Sequence, residues 1–358
     1  MLTTERKTDA FAALGAILAN INNKTRIDNI SDSTLREKVM NLVQLINTIQ
    51  QQNGWFTPDS VSKALLSLGE SLKREKLEKW VSGYQNSFEK FNAPKTVAVI
   101  MAGNVPAVGF HDFLSVLISG HRILAKLSSD DDKLMPAIAA ILTTLEPEFE
   151  DRITFTSEFL KDFDAVIATG SNNSSRYFEY YFGKYPNIIR KNRNGVALLS
   201  GLETREELNG LADDIFLYYG MGCRNVARLF IPVNYDFNPL LEVLASRTEV
   251  VDNNKYFNNY EYNKAIFLVN SINHFDTENI LLTENEQYAS PVSVLHYSYY
   301  QTPETLKNEI MVNNHQIQCV VTNLNFPANK VTFGQTQSPE LWDYADGIDT
   351  LQFLLSIP

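Results

Sequence analysis

Residues 95–126 read KTVAVIMAGNVPAVGFHDFLSVLISGHRILAK. The run Thr96-Val-Ala-Val-Ile-Met101 carries no charge, the pattern of a strand buried on both faces. Gly103 follows at once, in Ala102-Gly103-Asn104-Val105-Pro106, and a helical run extends from Val108 to Ser119. Gly120-His121 closes that helix, and Arg122-Ile-Leu-Ala-Lys126 reads as a second strand. Strand, glycine turn, helix, strand is a βαβ unit.

Downstream the alternation continues. Met135–Leu145 reads as a helix, Arg152–Thr156 and Ala165–Thr169 as strands. Gly170-Ser171-Asn172 then leads into a helix over Ser174–Phe182. After about residue 195 the pattern restarts with a strand at Gly195–Ser200 and a helix at Glu206–Tyr219, whose acidic start suits the macrodipole. Gly220–Asn225 is a glycine-flanked turn before a strand at Ala227–Pro232. Residues 251–262, rich in Asn and Tyr, are expected to form an exposed loop. Ile280–Leu282, Val292–Leu295 and Cys319–Thr322 are further strands.

Upstream, Phe11, Leu14, Ile17 and Leu18 have helical spacing, as do Leu42, Val43, Leu45, Ile46 and Ile49. Thr57-Pro58-Asp59 starts another helix, with Val61, Leu65, Leu66 and Leu68 on its apolar face. The expected organisation is an α/β chain with two Rossmann-like open domains: a helical region over 1–90, α/β domains over 91–195 and 196–335, and a segment 336–358 packing back on the first.

Composition bounds the function. Of 358 residues, 44% are hydrophobic and 20% charged, which excludes wholesale disorder. Lys+Arg is 31 and Asp+Glu 42, so 31 − 42 = −11, and nucleic acid is not an expected partner. Two cysteines make no disulfide framework and fit a reducing compartment. The polar N-terminus lacks a secretory pattern, and no apolar run is long enough to span a membrane, so the expected location is cytoplasmic. The five histidines, His111, His121, His274, His296 and His315, show no metal-ligand spacing, and no metal is expected.

Among candidate groups, Cys223 stands out because Gly220, Gly222 and Arg224 flank it. Glycines admit a substrate closely, and a nearby cation would favour the thiolate. The alternative is a small buried thiol, which is the reading adopted for Cys319. The Asn104 amide could donate to an oxyanion or simply serve its turn. Gly170-Ser171-Asn172 could cradle a phosphate, although no full glycine-rich motif is present. His111-Asp112 suggests an orienting pair, but a capping or solvated reading is preferred, and Asp130-Asp131-Asp132 reads as a helix N-terminus before Lys133.

Together these segments are more specific than any one. The order GNVP–helix–strand–Lys126, a strand ending in ATGS, a glycine-flanked Cys223, SPV at 290–292 and NNHQIQCVVTN at 313–323 resembles the aldehyde dehydrogenase superfamily. VAVIMAGNVPAVGFHDFLSVLISGHRILAKLSSDD (97–131), YYGMGCRNVARLFIP (218–232) and DYADGIDTLQFL (343–354) look most like the LuxC-type acyl-CoA reductases.

The resemblance implies a nicotinamide-binding domain at 91–195 and a catalytic domain at 196–335. It puts Cys223 at the thiol nucleophile, Asn104 at the oxyanion amide, Lys126 at the adenine ribose, and Gly170 and Ser171 at the pyrophosphate turn. Two departures matter. Asn192 stands where hydrolytic members keep a glutamate base, which disfavours thioester hydrolysis. In Glu286-Gln287-Tyr288-Ala289-Ser290-Pro291-Val292, Gln287 aligns with the glutamate that meets the nicotinamide ribose, and a one-residue slip puts Glu286 there.

The implied activity is reduction of an acyl-CoA, fatty acyl-CoA foremost, to an aldehyde with NAD(P)H. The alternatives are a non-redox acyl-binding or acyl-transfer protein on the same scaffold, or an aldehyde dehydrogenase. Ser129 stands three residues past Lys126, where NAD-preferring members carry a glutamate, so NADPH is expected over NADH. Asp130 weakens that reading unless it caps the next helix. A homo-oligomer and an aldehyde-consuming partner enzyme both stay open.

Overall fold

The computed structural model describes residues 2–89, 93–326 and 329–358, so the boundary expected between residues 90 and 91 lies outside the described residues. The chain divides into two compact units, one of Met1–Lys191 with Pro339–Pro358, the other of Asn192–Ser338.

In the first unit, β1 (Thr96–Ile100), β2 (Arg122–Lys126), β3 (Ile153–Thr156), β4 (Ala165–Thr169) and β5 (Asn187–Arg190) form one sheet in the order β3-β2-β1-β4-β5. Every pairing is parallel. Helices Phe110–Ser119, Leu134–Leu145 and Asn172–Phe182 make the crossovers. Gly120, at φ 98°, ends the first of them in a left-handed cap that residues with a side chain adopt poorly. The strand order reverses between β1 and β4, and in open parallel sheets that is where ligands enter, outside the carboxyl ends of the strands.

The helix Thr4–Leu18 packs on Phe110–Ser119 and Leu134–Leu145, Ser33–Thr48 packs on Leu134–Leu145, and Pro58–Ser71 packs on Thr4–Leu18 and Ser33–Thr48. Phe11, Leu14, Leu42 and Leu65 join Val97, Val99, Phe113 and Leu142 in one core, and Leu351 and Leu354 of the C-terminal helix Thr350–Leu355 complete it. Polar groups are buried here too. The Lys7 Nζ donates to the Ile118 carbonyl at 2.5 Å, and burial pulls its pKa down to about 8.

His111 and Asp112 correct the sequence reading, because they are neither a cap nor a solvated pair. Asp112 is buried against Arg190, with bonds of 2.5 and 2.9 Å, and Arg190 also donates to Thr350 Oγ1 at 2.9 Å. The His111 ring meets Leu341 O at 2.9 Å and lies against the Trp80 and Tyr344 rings. Desolvation lowers its pKa. His111 meets the C-terminal segment directly and Asp112 reaches it through Arg190, which local sequence does not show.

In the second unit, β6 (Asn194–Leu198), β7 (Val226–Pro232), β8 (Phe275–Asp276), β9 (Leu281–Glu284), β10 (Val294–Tyr300), β11 (Ile317–Val321) and β12 (Lys330–Val331) form a sheet in the order β12-β11-β6-β7-β10-β9-β8. Only β8 is antiparallel to its neighbour among these pairings. Its core joins Leu211, Leu229, Ile231, Leu244, Leu282 and Leu295.

The expected loop at 251–262 is instead a short 3₁₀ turn, Thr248–Asp252, followed by the helix Asn254–Val269. Asn253 caps it, accepting from the Lys255 and Tyr256 N–H groups. Tyr256, Tyr260, Asn263 and Phe267 fall on one buried face, where Tyr256 Oη donates to Asn279 O and Asn263 Nδ2 to Val292 O, each at 2.9 Å. Polar residues with internal partners therefore made a core face look like a loop.

Candidate active site

On the first unit, the candidates collect at the carboxyl ends of three neighbouring strands. Asn104 follows β1, Lys126 and Ser129 close and follow β2, and Gly170 and Ser171 follow β4. These ends flank the switch point between β1 and β4.

The 102–109 loop after β1 is tightly held. Ala107 sits at φ +54°, a left-handed conformation costing roughly 1 kcal/mol or more for a residue with a side chain. Its N–H donates to Asp131 Oδ2 at 2.9 Å. Burial raises the Asp131 carboxyl to about 6, against the bonds it accepts from Ala107 and Leu134. Asn104 itself is exposed.

The lysine expected at the ribose, Lys126, lies with Nζ 3.0 Å from the Glu158 carbonyl and 5.5 Å from the Phe159 ring centre. Ser129 and Asp130 are exposed on the turn that follows. Asp130 does not cap the helix Leu134–Leu145. The Leu134 N–H instead reaches Asp131 Oδ1, at 3.4 Å. Asp130 thus keeps an exposed carboxylate beside Ser129. Ser171 is the N-cap of Asn172–Phe182, accepting from the Ser174 N–H at 3.2 Å. A Cβ on Gly170 would come within 2.9 Å of Phe178 Cε2, so glycine lets this turn close over the helix.

On the second unit, Cys223 is exposed and Cys319 buried; burial pushes the Cys319 thiol up to about 12, which removes it as a nucleophile. Cys223 lies on the turn before β7. The expected helix to Tyr219 stops at Phe216, because Tyr218 and Tyr219 turn left-handed at φ 54° and 59°, and Gly220 follows at φ 73°.

Asn225 organises this turn, and sequence reasoning did not single it out. Its buried amide accepts from the Gly222 N–H at 2.8 Å and donates to the carbonyls of Asp214 and Leu217, each at 2.9 Å. The Arg224 Nε donates to Thr336 O at 2.5 Å, and Thr336 in turn donates to Asp214 from N and Oγ1. Burial raises the Asp214 carboxyl. Gly195 of β6 is required beneath the turn, since a Cβ there would stand 2.5 Å from Arg224 O.

Gly195 pairs with Val226, so Asn192 and Cys223 each lie three residues before a paired position, at the amino ends of adjacent parallel strands. The residue at that place is an amide. Gln287 lies on the loop between β9 and β10, with an exposed side chain and a carbonyl 3.0 Å from His296 Nδ1. The Arg228 guanidinium, buried against the Phe230 and Tyr288 rings, donates to Glu286 O at 2.5 Å. Desolvation lowers the pKa of both Arg228 and His296. Arg228 thus fixes the backbone of the Glu286-Gln287 segment, a role its strand position did not advertise.

The structure gathers Asn104, Lys126, Ser129, Gly170 and Ser171 in one unit, and Asn192, Cys223 and Gln287 in the other. Among the described residues, no group of three or more His, Cys, Asp or Glu could hold a metal, and no helix is long and apolar enough to cross a membrane.

A family model described as acyl-CoA reductase (LuxC) matches residues 17–246. No curated protein matches the chain. Similar solved structures include aldehyde dehydrogenase 21 of Physcomitrella patens with its product succinate, at 11% identity and TM-score 0.56, covering 98% of this chain and 87% of that one. An NADP-dependent enzyme of E. coli aligns at 13% identity and TM-score 0.55, covering 92% and 84%. A bifunctional proline utilization A protein aligns at 14% and 0.57, covering 89% of this chain, which spans only 38% of that longer one. The fold is that of the aldehyde dehydrogenases.

Proposed function

The chain belongs to the acyl-CoA reductase (LuxC) family, and on that premise we propose that it reduces an acyl-CoA, fatty acyl-CoA foremost, to the aldehyde through an acyl-enzyme on Cys223. Family and fold together make it an oxidoreductase of acyl or aldehyde groups. The observation that carries the finer reading is an exposed thiol, with the amide Asn192 rather than a carboxylate just before the neighbouring strand β6.

The Cys223 thiolate attacks the acyl carbon, a C–S bond forms, and the CoA thiolate leaves as the old C–S bond breaks. Asn104 and the Cys223 N–H are assigned to the oxyanion that forms in between. Asn192 has no carboxylate with which to activate water, so the acyl-enzyme survives hydrolysis long enough to be reduced.

The first unit fits a nicotinamide cofactor. The Gly170 turn leaves no room for a side chain, and the capped helix start and Lys126 lie on the sheet edge where such ligands enter. Lys126, Ser129, Gly170, Ser171 and Gln287 are the residues proposed to hold it, with NADPH over NADH because Ser129 can donate to a phosphate. When bound, the reduced nicotinamide supplies the hydride that takes the thioester carbon to the aldehyde level. Cys223 then departs as the thiolate.

The test is a panel running from acetyl-CoA to palmitoyl-CoA with NADPH and NADH, followed by loss of reduced-nicotinamide absorbance. Turnover in the wild type and a fall of about 10³-fold or more in Cys223→Ala is the expected result. Wild-type turnover in Cys223→Ala would refute the covalent route. Acyl-enzyme formation without cofactor oxidation on any substrate would favour a non-redox acyl transferase.

A further inference from the structure

We propose that Asp131 is a positioning residue for this reaction, its carboxylate holding the 103–107 loop, and with it Asn104, in the shape that acyl transfer to Cys223 requires. The inference rests on the reading of Asn104 as the oxyanion donor.

Three observations converge on the 128–132 turn. The buried Asp131 carboxylate accepts the Ala107 N–H, which stabilises a left-handed residue three positions past Asn104. At the other end of the same loop, a Cβ on Gly103 would stand 2.5 Å from Ser128 Oγ and 3.0 Å from Asp130 Cβ, so the Gly103 backbone lies directly against the Ser128 and Asp130 side chains. On its far side, Asn53 Nδ2 donates to Asp130 O at 3.0 Å and Gln52 Nε2 to Asp132 Oδ1 at 2.8 Å.

The turn is therefore clamped between the N-terminal helical layer and the Asn104 loop. Its own geometry is set by a bridge between Ser128 and Asp131. Asn104 is exposed and lies on the loop that Asp131 grips. Ser129 rides on the same turn, so the segment assigned to the cofactor and the segment assigned to the oxyanion share one support. An oxyanion donor must sit within a few tenths of an ångström of its target, so loosening the support should weaken it without touching the thiol.

A double-mutant cycle tests this. Wild type, Asn104→Ala, Asp131→Ala and the double variant are acylated in a single turnover, using the best radiolabelled substrate of the acyl-CoA panel. Alkylation of Cys223 by iodoacetamide, which needs no oxyanion donor, is followed in parallel. The expected result is acylation about 10²-fold slower in Asn104→Ala and about tenfold slower in Asp131→Ala. The double variant should be no slower than Asn104→Ala alone, because residues acting through one another are not additive. Alkylation should be unchanged throughout.

Equal slowing by Asp131→Ala in both backgrounds would overturn the proposal, as would acylation and alkylation falling together. Should Asp131→Ala fail to fold, Asp131→Thr takes its place in the cycle. It keeps an oxygen for the helix end at Leu134 and gives up the reach to Ala107. Wild-type acylation by Asn104→Ala removes the oxyanion reading and this proposal together. A slow Asn104→Ala beside a fast Asp131→Ala removes this proposal alone.

Discussion

Both units present an exposed candidate side chain on a loop, and both hold that loop from beneath with a buried polar residue, yet the two anchors differ in kind. Under Asn104 the anchor is Asp131, which reaches over from another loop. Under Cys223 it is Asn225, two residues further along the same turn. A borrowed anchor ties the Asn104 loop to whatever displaces residues 128–132, whereas an anchor inside the turn makes the thiol's support local. The chemistry differs as well. A carboxylate only accepts, and it titrates; an amide accepts, donates and has no proton to lose near neutrality.

The largest expected effect that separates them is that of Asn225→Ala. It strips the partner from the Gly222 N–H and from the Asp214 and Leu217 carbonyls. Buried groups left this way cost roughly 1–3 kcal/mol each, and partial rewetting brings the expected total to about 3 kcal/mol. A urea titration reads it as a lower midpoint, accompanied by an altered rate of Cys223 alkylation. An unshifted midpoint would show that the turn holds itself and that the comparison is false.

A smaller effect concerns pH. Burial raises the folded Asp131 carboxyl from 3.8 to about 6. Inside that window the folded state keeps a proton that the unfolded state has lost, so stability falls as pH rises from about 4 to 6, by at most about 3 kcal/mol. Asp131→Asn does not titrate, so the wild-type-minus-variant difference in unfolding free energy isolates the effect. The corresponding difference for Asn225→Ala should stay flat. Slopes of the same size at both anchors would erase the distinction between them.

The smallest is Ser129→Glu. A second carboxylate next to exposed Asp130 should cut the NADPH-to-NADH ratio of kcat/KM about tenfold, or ~1.4 kcal/mol. An unchanged ratio would take Ser129 out of cofactor choice and leave the 128–132 turn a purely mechanical element.

These anchors mark the limit of what could be read from the sequence. Thr96–Ile100 and Ala165–Thr169 announce themselves because each is a largely buried, uncharged run followed by a glycine turn, and Arg122–Lys126 because it follows the helix-closing Gly120. Cys223 stands out through its glycines, and Asn104 through its place after a strand. Asp131 looked like one of three equivalent aspartates, since burial singles it out only when Ala107 arrives. Arg190 finds Asp112 and Thr350 across long stretches of chain, and no local pattern encodes such partners. The helix Asn254–Val269 was hidden for a related reason, because its inward face is built of Tyr and Asn whose partners, Asn279 and Val292, come later in the chain.

The seven-stranded sheet begins and ends on strands of two residues, β12 and β8. Between them, β7 and β11 are rich in Val, Leu, Ile and Phe, the composition that recruits further chains when a long border is left bare. A two-residue border gives an approaching chain almost nothing to copy, and Lys330 on β12 places a charge there, its ammonium held at 2.8 Å by Leu324 O. Both borders of the sheet are therefore short among the described residues. Extending β12 with alternating apolar residues in place of Lys330 would turn that border into a seed for aggregation.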